Sequence, residues 1–71
     1  MEEELLKTFG NHLKTIRKDY GLSQEALADK AGLDRTYVSG VETGKRNISL
    51  KALSAIAKAL DKNLSQLFDG M

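Results

Sequence analysis

The sequence predicts an all-α fold of five short helices, and three observations support that prediction. Proline is absent from the 71 residues, and strand-like alternation of apolar and polar residues is hard to find. Apolar residues instead recur at intervals of three and four along the chain, the period of a helix with one buried face. A chain of this length suffices for one small domain and leaves no room for a second. We therefore expect one domain over residues 1–71.

The first predicted helix runs from about Glu3 to Tyr20. Gly21 follows it, and glycine is the residue best suited to the left-handed conformation that ends many helices. Its apolar stripe is made of Leu6, Phe9, Leu13, Ile16 and Tyr20.

The second and third predicted helices are only about two turns long. Ser23 is an N-cap candidate for the second, which has Leu27, Ala28 and Ala31 on its buried side and ends at Gly32. Asp34 is the next cap candidate, with its carboxylate placed to accept the free backbone amides of the first turn. This third helix is expected to end near Val41 or Glu42, before Gly44, with Val38 and Val41 buried.

The fourth helix is expected to begin after Ser49 and the fifth after Asn63, since both residues are favourable N-caps. The fourth carries the clearest apolar stripe of the chain, formed by Leu50, Leu53, Ile56, Ala57 and Leu60. The fifth is a last turn or two with Leu64, Leu67 and Phe68.

The joint between the second and third helices has the sequence pattern of a helix-turn-helix. Ala28 allows the two backbones to approach, Gly32 supplies the positive φ of the turn, and Leu33 and Val38 fill the space between the helices. An ordinary corner between two packed helices would use small residues at the same places. This spacing alone therefore leaves both interpretations open.

The outward face of the third helix favours DNA binding. Once the cap and the buried positions are set aside, the residues left to face water are Arg35, Thr36, Tyr37, Ser39 and Gly40. Arginine can donate two hydrogen bonds to guanine, threonine can contact base edges, and tyrosine and serine can reach phosphate or base. A glycine costs about 1 kcal/mol within a helix, but it allows close approach to DNA. We therefore predict that this helix enters the major groove.

Charge is segregated along the chain although the net charge is only +1. Residues 35–51 contain four basic residues and one acidic residue, whereas residues 1–34 contain seven acidic and five basic ones. A local basic surface is suited to a polyanion such as DNA, although such surfaces are more often merely solvated.

Several other functional classes are disfavoured. Cysteine is absent, which removes disulfides, thiol nucleophiles and thiolate metal sites and favours the reducing cytosol. His12 is the only histidine and has no second ligand nearby in sequence, and "GVETGKR" lacks the spacing and the Ser or Thr of a phosphate-binding loop. The acidic start at Met1 and the lack of a long apolar run are unlike a secretory signal or a membrane span. We expect a cytoplasmic protein that is not an enzyme and needs no cofactor, metal or small-molecule ligand.

The segment "GLSQEALADKAGLDRTYVSGVETGKRN", followed by an amphipathic helix and "NLSQLF", resembles the five-helix DNA-binding domain of lambdoid phage repressors and Cro. The resemblance extends from about Leu13 to Phe68. Within that group, "LDRTYVSGVETGKRN" is most similar to the controller proteins of restriction-modification systems. Many relatives have a proline after the Arg-Asn pair, where this chain has Ile48.

The resemblance implies roles for individual residues. Gln24 matches a glutamine that, in these proteins, binds a phosphate and supports the third helix. Arg17 and Glu42 match a partly buried ion pair. Lys45 and Asn47 are expected to contact phosphates. Arg46 is expected to contact a phosphate or the edge of the minor groove.

The resemblance also implies a homodimer that binds an operator of inverted half-sites in duplex DNA, with one third helix in each of two successive major grooves. We expect the end of the fourth helix and the fifth helix to meet the partner, since they carry more apolar area than a single turn needs for anchoring. The candidate interface residues are Leu60, Leu64, Leu67, Phe68 and Met71. The alternative for Leu64, Leu67 and Phe68 is that they close the monomer core.

Other functions remain open at this stage. The chain could be the antitoxin of a toxin-antitoxin pair, another small bacterial or phage repressor, or a structural helical module whose basic loop is incidental. Antitoxins usually carry an additional neutralising segment, which is not found before Met71.

Overall fold

Five α-helices make up the regular structure in the computed structural model, which describes residues 2–71 and the side chains of residues 3–71. Met1, with which the acidic N-terminal sequence begins, lies outside the described residues. The all-α prediction is confirmed, and each helix boundary lies within about one residue of its expected position. The helices are α1 (Glu2–Tyr20), α2 (Gln24–Ala31), α3 (Arg35–Glu42), α4 (Leu50–Ala59) and α5 (Leu64–Phe68). None of them is both long enough and apolar enough to span a bilayer.

Three of the four predicted N-caps form as expected. The hydroxyls of Ser23 and Ser49 each accept the backbone N–H three residues ahead, at 3.0 Å. Asn63 accepts the N–H of Gln66 at 2.8 Å, and the Gln66 side chain accepts the N–H of Asn63 at 2.9 Å, so α5 begins with a reciprocal capping box. Asp34 does occupy the N-cap position of α3, with an extended backbone, but the predicted side-chain contact is wrong. Its carboxylate accepts no backbone N–H and instead accepts the hydroxyl of Thr36.

The core gathers residues from all five helices, among them Leu13, Leu27, Val38, Ile56 and Leu67. Tyr20 departs from the predicted apolar stripe of α1, since 40% of it is exposed. Its hydroxyl donates to the Asp61 carboxylate and accepts from Lys30. The ring therefore joins the end of α1 to α2 and to the turn before α5 instead of entering the core.

Two of the candidate dimer residues belong to the core. Leu60 is 2% exposed and Leu67 is 0% exposed, so neither offers surface to a partner. The expectation that they lie between subunits is corrected. A five-residue helix has too few residues to be stable alone, and burial of Leu67 is what holds α5 against the rest of the domain. His12 of α1 adds a hydrogen bond from its Nε2 to the carbonyl oxygen of Leu67, at 2.8 Å.

Helices α1 and α3 cross at Gly10, a close approach that the apolar pattern does not indicate. A Cβ atom at this position would lie 2.5 Å from the backbone carbonyl oxygens of both Val41 and Glu42. The end of α3 therefore rests directly on the backbone of α1, because the side chain is a single hydrogen.

Candidate nucleic-acid interface

The joint between α2 and α3 has the geometry that the sequence predicts. Gly32 adopts φ +69°, and the N–H of Leu33 bonds to the carbonyl oxygen of Ala28 at 2.8 Å. Ala28 is buried where the two helices approach, and Val38 of α3 is buried beside it. The orientation of α3 relative to α2 is thus set by the positive φ of Gly32, the small side chain of Ala28 and the burial of Val38.

The first turn of α3 presents Arg35 and Thr36 to solvent. Arg35 has no carboxylate within ion-pair distance among the side chains of residues 3–71. Ser39 and Gly40, one turn later, are half-buried. Arg35 therefore projects into solvent from the start of the helix, Thr36 is exposed but donates its hydroxyl to Asp34, and the middle of the helix is more enclosed than expected.

Tyr37 is placed differently from the prediction that it faces water. Its ring packs against the core cluster, and its hydroxyl accepts the backbone N–H of Ser49 at 3.1 Å. The guanidinium carbon of Arg46 lies 5.1 Å from the ring centroid, within range of a cation–π interaction. Tyr37 thus supports the loop after α3 and the start of α4. A direct role in contacting DNA stays a prediction.

The space beside Gly40 is filled by the chain itself. A Cβ at this position would lie 3.3 Å from the Cβ of Arg46. The carbonyl oxygen of Gly40 also accepts the N–H groups of Lys45 and Arg46, at 2.9 and 3.2 Å. The missing side chain of Gly40 therefore lets the loop fold back along α3. The sequence had predicted a different use of this glycine, namely close approach to DNA.

Lys45, Arg46 and Asn47 are all exposed on this loop, which we call the basic loop. Ile48, which stands where many relatives have proline, is half-buried and packs against the core. Burial of an apolar side chain can anchor the loop where proline would fix its backbone.

A hydrogen-bonded network connects α1, α2 and the end of α3, and it confirms the predicted pair of Arg17 and Glu42. The guanidinium donates to both carboxylate oxygens, at 2.7 and 3.0 Å, and to the carbonyl oxygen of Leu22 at 2.8 Å. The hydrogen bonds to Glu42 raise the pKa of Arg17 above its usual value. Gln24 donates its amide to Glu42 at 3.0 Å, so it supports the pair, and its predicted phosphate contact stays a prediction.

Three residues on α1 border this network, and the sequence reasoning did not single them out. Lys7, Asn11 and Lys14 line a surface cleft together with Gln24, Glu42 and Thr43. Their spacing of four and three residues places them on one face of α1, and this pattern could have identified the face from the sequence.

An apolar surface remains exposed at the end of the chain. Phe68 is half-covered by Phe9, with ring centroids 5.7 Å apart, and Leu64 and Met71 are exposed. Leu5 of α1, which the sequence reasoning did not include, lines a groove with Phe68 and Met71. We call Leu5, Leu64, Phe68 and Met71 the apolar patch.

Comparison with known proteins places this geometry among DNA-binding regulators. A helix-turn-helix family model matches residues 13–67. The chain is 52% identical over 61 residues to control protein C.MunI of Mycoplasma sp, covering 84% of this chain and 82% of that protein. It is 39% identical over 70 residues to control protein C.BamHI of Bacillus amyloliquefaciens, covering 97% and 86%. The crystal structure of the restriction-modification controller C.AhdI from Aeromonas hydrophila superimposes with a TM-score of 0.89 at 48% identity, covering 93% and 96%.

Proposed function

The chain belongs to the helix-turn-helix family of DNA-binding transcription regulators, and we propose that it is a restriction-modification controller that binds an inverted-repeat operator as a homodimer. Its proposed targets are its own promoter and those of an adjoining methyltransferase or endonuclease gene. A chain with these targets acts in the cytoplasm, where bacterial DNA lies. Finding either gene beside the coding sequence would support the proposal, and a toxin gene there would favour the antitoxin alternative.

One observation carries the DNA-binding proposal. Arg35 and Thr36 are exposed at the start of α3, and Arg46 of the basic loop packs along the same helix. Base-reading groups and phosphate-binding groups are therefore side by side, as DNA recognition requires. An α-helix with its side chains is about 10–12 Å in diameter, which suits insertion of the first turn of α3 into a major groove about 12 Å wide.

Arg35 and Lys45 are proposed to differ in what they recognise, and their alanine variants should separate the two roles. Arg35→Ala is expected to cost about 1 to 3 kcal/mol of binding and to relax the preference at one operator position, because a bidentate contact to guanine is lost. Lys45→Ala should weaken binding to all sequences alike, because phosphates carry no sequence information. The measurement is a titration of each variant against the best duplex from a random library and its single-base changes. Equal loss on every duplex for Arg35→Ala would contradict its proposed role.

The apolar patch is the proposed dimer surface, with a second copy of the chain as its partner. Two protomers related by a twofold axis would place their α3 helices in successive major grooves roughly 34 Å apart. The patch adjoins the basic loop, since Asn47 and Ile48 line the same groove. Dimerisation would thus hold the two basic loops near the centre of the operator.

Met71→Lys is expected to weaken the dimer at least about tenfold, because a lysine ammonium would lose its hydration in the interface. Met71 is exposed in the protomer, so folding should be unaffected. Sedimentation equilibrium at micromolar concentration measures the change, and Thr15→Lys, which adds the same charge at an exposed position of α1 outside the apolar patch, is the control. A wild-type chain that sediments only as monomer, with and without DNA, would remove the dimer from the proposal.

A further inference from the structure

The cleft between α1 and the network of Arg17, Glu42 and Gln24 has three polar lining residues on α1 to which no role has been given above. Lys7, Asn11 and Lys14 form one of its walls. Lys7 and Lys14 are seven residues apart on the same face of α1, a rise of about 10.5 Å. Two lysine side chains at this separation can reach neighbouring phosphates along one DNA strand.

The cleft is positively charged despite the carboxylate in its lining. Among the described side chains, Glu42 is the only acidic one that lines it, and both of its oxygens accept hydrogen bonds from Arg17. Lys7 and Lys14 have no carboxylate within 4.0 Å among the side chains of residues 3–71. The paired charges of Arg17 and Glu42 cancel, so the two lysines leave the cleft with an excess of two positive charges.

Lys7 is held next to the basic loop by the backbone at Gly44. A Cβ on Gly44 would lie 2.7 Å from the Cγ of Lys7 and 3.0 Å from its Cα. This contact places α1 directly against the residue that precedes Lys45. The lysines of α1 and the basic loop therefore form adjoining surfaces, and Gln24 lies at the other side of the same cleft.

We propose that the face of α1 formed by Lys7, Asn11 and Lys14 binds backbone phosphates of the operator. This inference rests on the proposed function and extends the DNA contact to a helix outside the helix-turn-helix. The lysines act as mobile point charges, and the Asn11 amide is a neutral donor between them. The contacts add affinity and fix the position of the protein on the duplex without reading its sequence.

The test is the salt dependence of DNA binding by Lys7→Gln/Lys14→Gln. Glutamine keeps the Cγ atom and the backbone that lie beside Gly44, so the fold should be retained, which circular dichroism can check. The probe is a fluorescent 30-base-pair duplex of random sequence, because non-specific binding is governed by phosphate contacts. Each lost contact should lower the slope of log affinity against log salt by about 0.9 per protomer, or about 1.8 for both. Affinity at 0.1 M salt should fall roughly tenfold for each contact.

The matched control is Lys58→Gln/Lys62→Gln, which removes the same two charges from outside the cleft. We expect this variant to keep the wild-type slope. A wild-type slope in Lys7→Gln/Lys14→Gln would overturn the inference. An equal change of slope in both double variants would also overturn it, because the effect would then come from the overall electrostatic field of the protein. If the wild-type chain binds no duplex at all, the proposed function fails instead.

Discussion

Replacing Glu42 with alanine is expected to lower the free energy of unfolding by about 3 to 5 kcal/mol. Both partners of the pair are buried, with Arg17 6% and Glu42 5% exposed. Removal of the carboxylate leaves the guanidinium without its counter-charge and removes the acceptor of Gln24. For 71 residues the whole stability is about 4 to 11 kcal/mol, so this single change should unfold a large fraction of the protein. Urea denaturation followed by circular dichroism measures it.

The control for this prediction is the double variant Arg17→Met/Glu42→Leu. Apolar replacement of both partners removes the uncompensated charge, so much of the stability should return. The pKa of Arg17 is higher in the folded protein than in the unfolded chain. The contribution of this arginine to the free energy of unfolding is therefore complete below its unfolded pKa, and it is lost only as the pH rises through the folded pKa. It should therefore be constant between about pH 5 and 9. A loss below about 1 kcal/mol for Glu42→Ala would mean that the pair is solvated in solution.

Gly10→Ala is expected to destabilise the protein by about 1 to 3 kcal/mol or more, although alanine is the better helix former by about 1 kcal/mol. The added methyl would lie 2.5 Å from two backbone carbonyl oxygens at the end of α3. Backbone cannot move aside as a flexible side chain can, so α3 must shift relative to α1. Thermal and urea denaturation report the stability loss.

A second readout for Gly10→Ala is DNA affinity under conditions where the variant remains folded. Displacement of α3 should reduce binding further than the loss of folded protein explains, because the helix carries Arg35 and Thr36. Thr8→Ala, at an exposed position of the same helix, is the control and should change stability by less than about 0.5 kcal/mol. Equal stability of Gly10→Ala and the wild type would show that the two helices can separate without cost.

The helices could be predicted closely because their boundaries depend on local chemistry. The side chains of Ser23, Ser49 and Asn63 each cap a helix by accepting a backbone N–H three residues ahead. Gly32 ends α2 through its own positive φ. The failure at Asp34 has the same local origin, since Thr36 competes for the carboxylate two residues away. Apolar periodicity likewise identified Leu13 and Ile56 as core residues.

Apart from the pair of Arg17 and Glu42, which the resemblance to phage repressors implied, contacts between distant segments could not be predicted from this sequence. Periodicity gives no information on which helix crosses Gly10, and it cannot show whether Leu60 and Leu67 face the core or a partner. The recognition face was predicted on the assumption that positions not needed for the core lie in water. That assumption holds for Arg35 and Thr36 but not for Tyr37 and Gly40, because the basic loop returns across α3 and covers them.

The position of Tyr37 has a consequence for how such a regulator can acquire a new operator preference. Arg35 forms no ion pair with any side chain that the structure describes, and the Thr36 side chain donates to the neighbouring Asp34 instead of to a distant segment. Selection can therefore change both residues and the preferred bases at little cost to folding. Tyr37 joins three segments through its hydroxyl, its ring face and its packing. Divergence of binding specificity should therefore begin at positions 35 and 36, and change at position 37 should require compensating substitutions in the basic loop and at the start of α4.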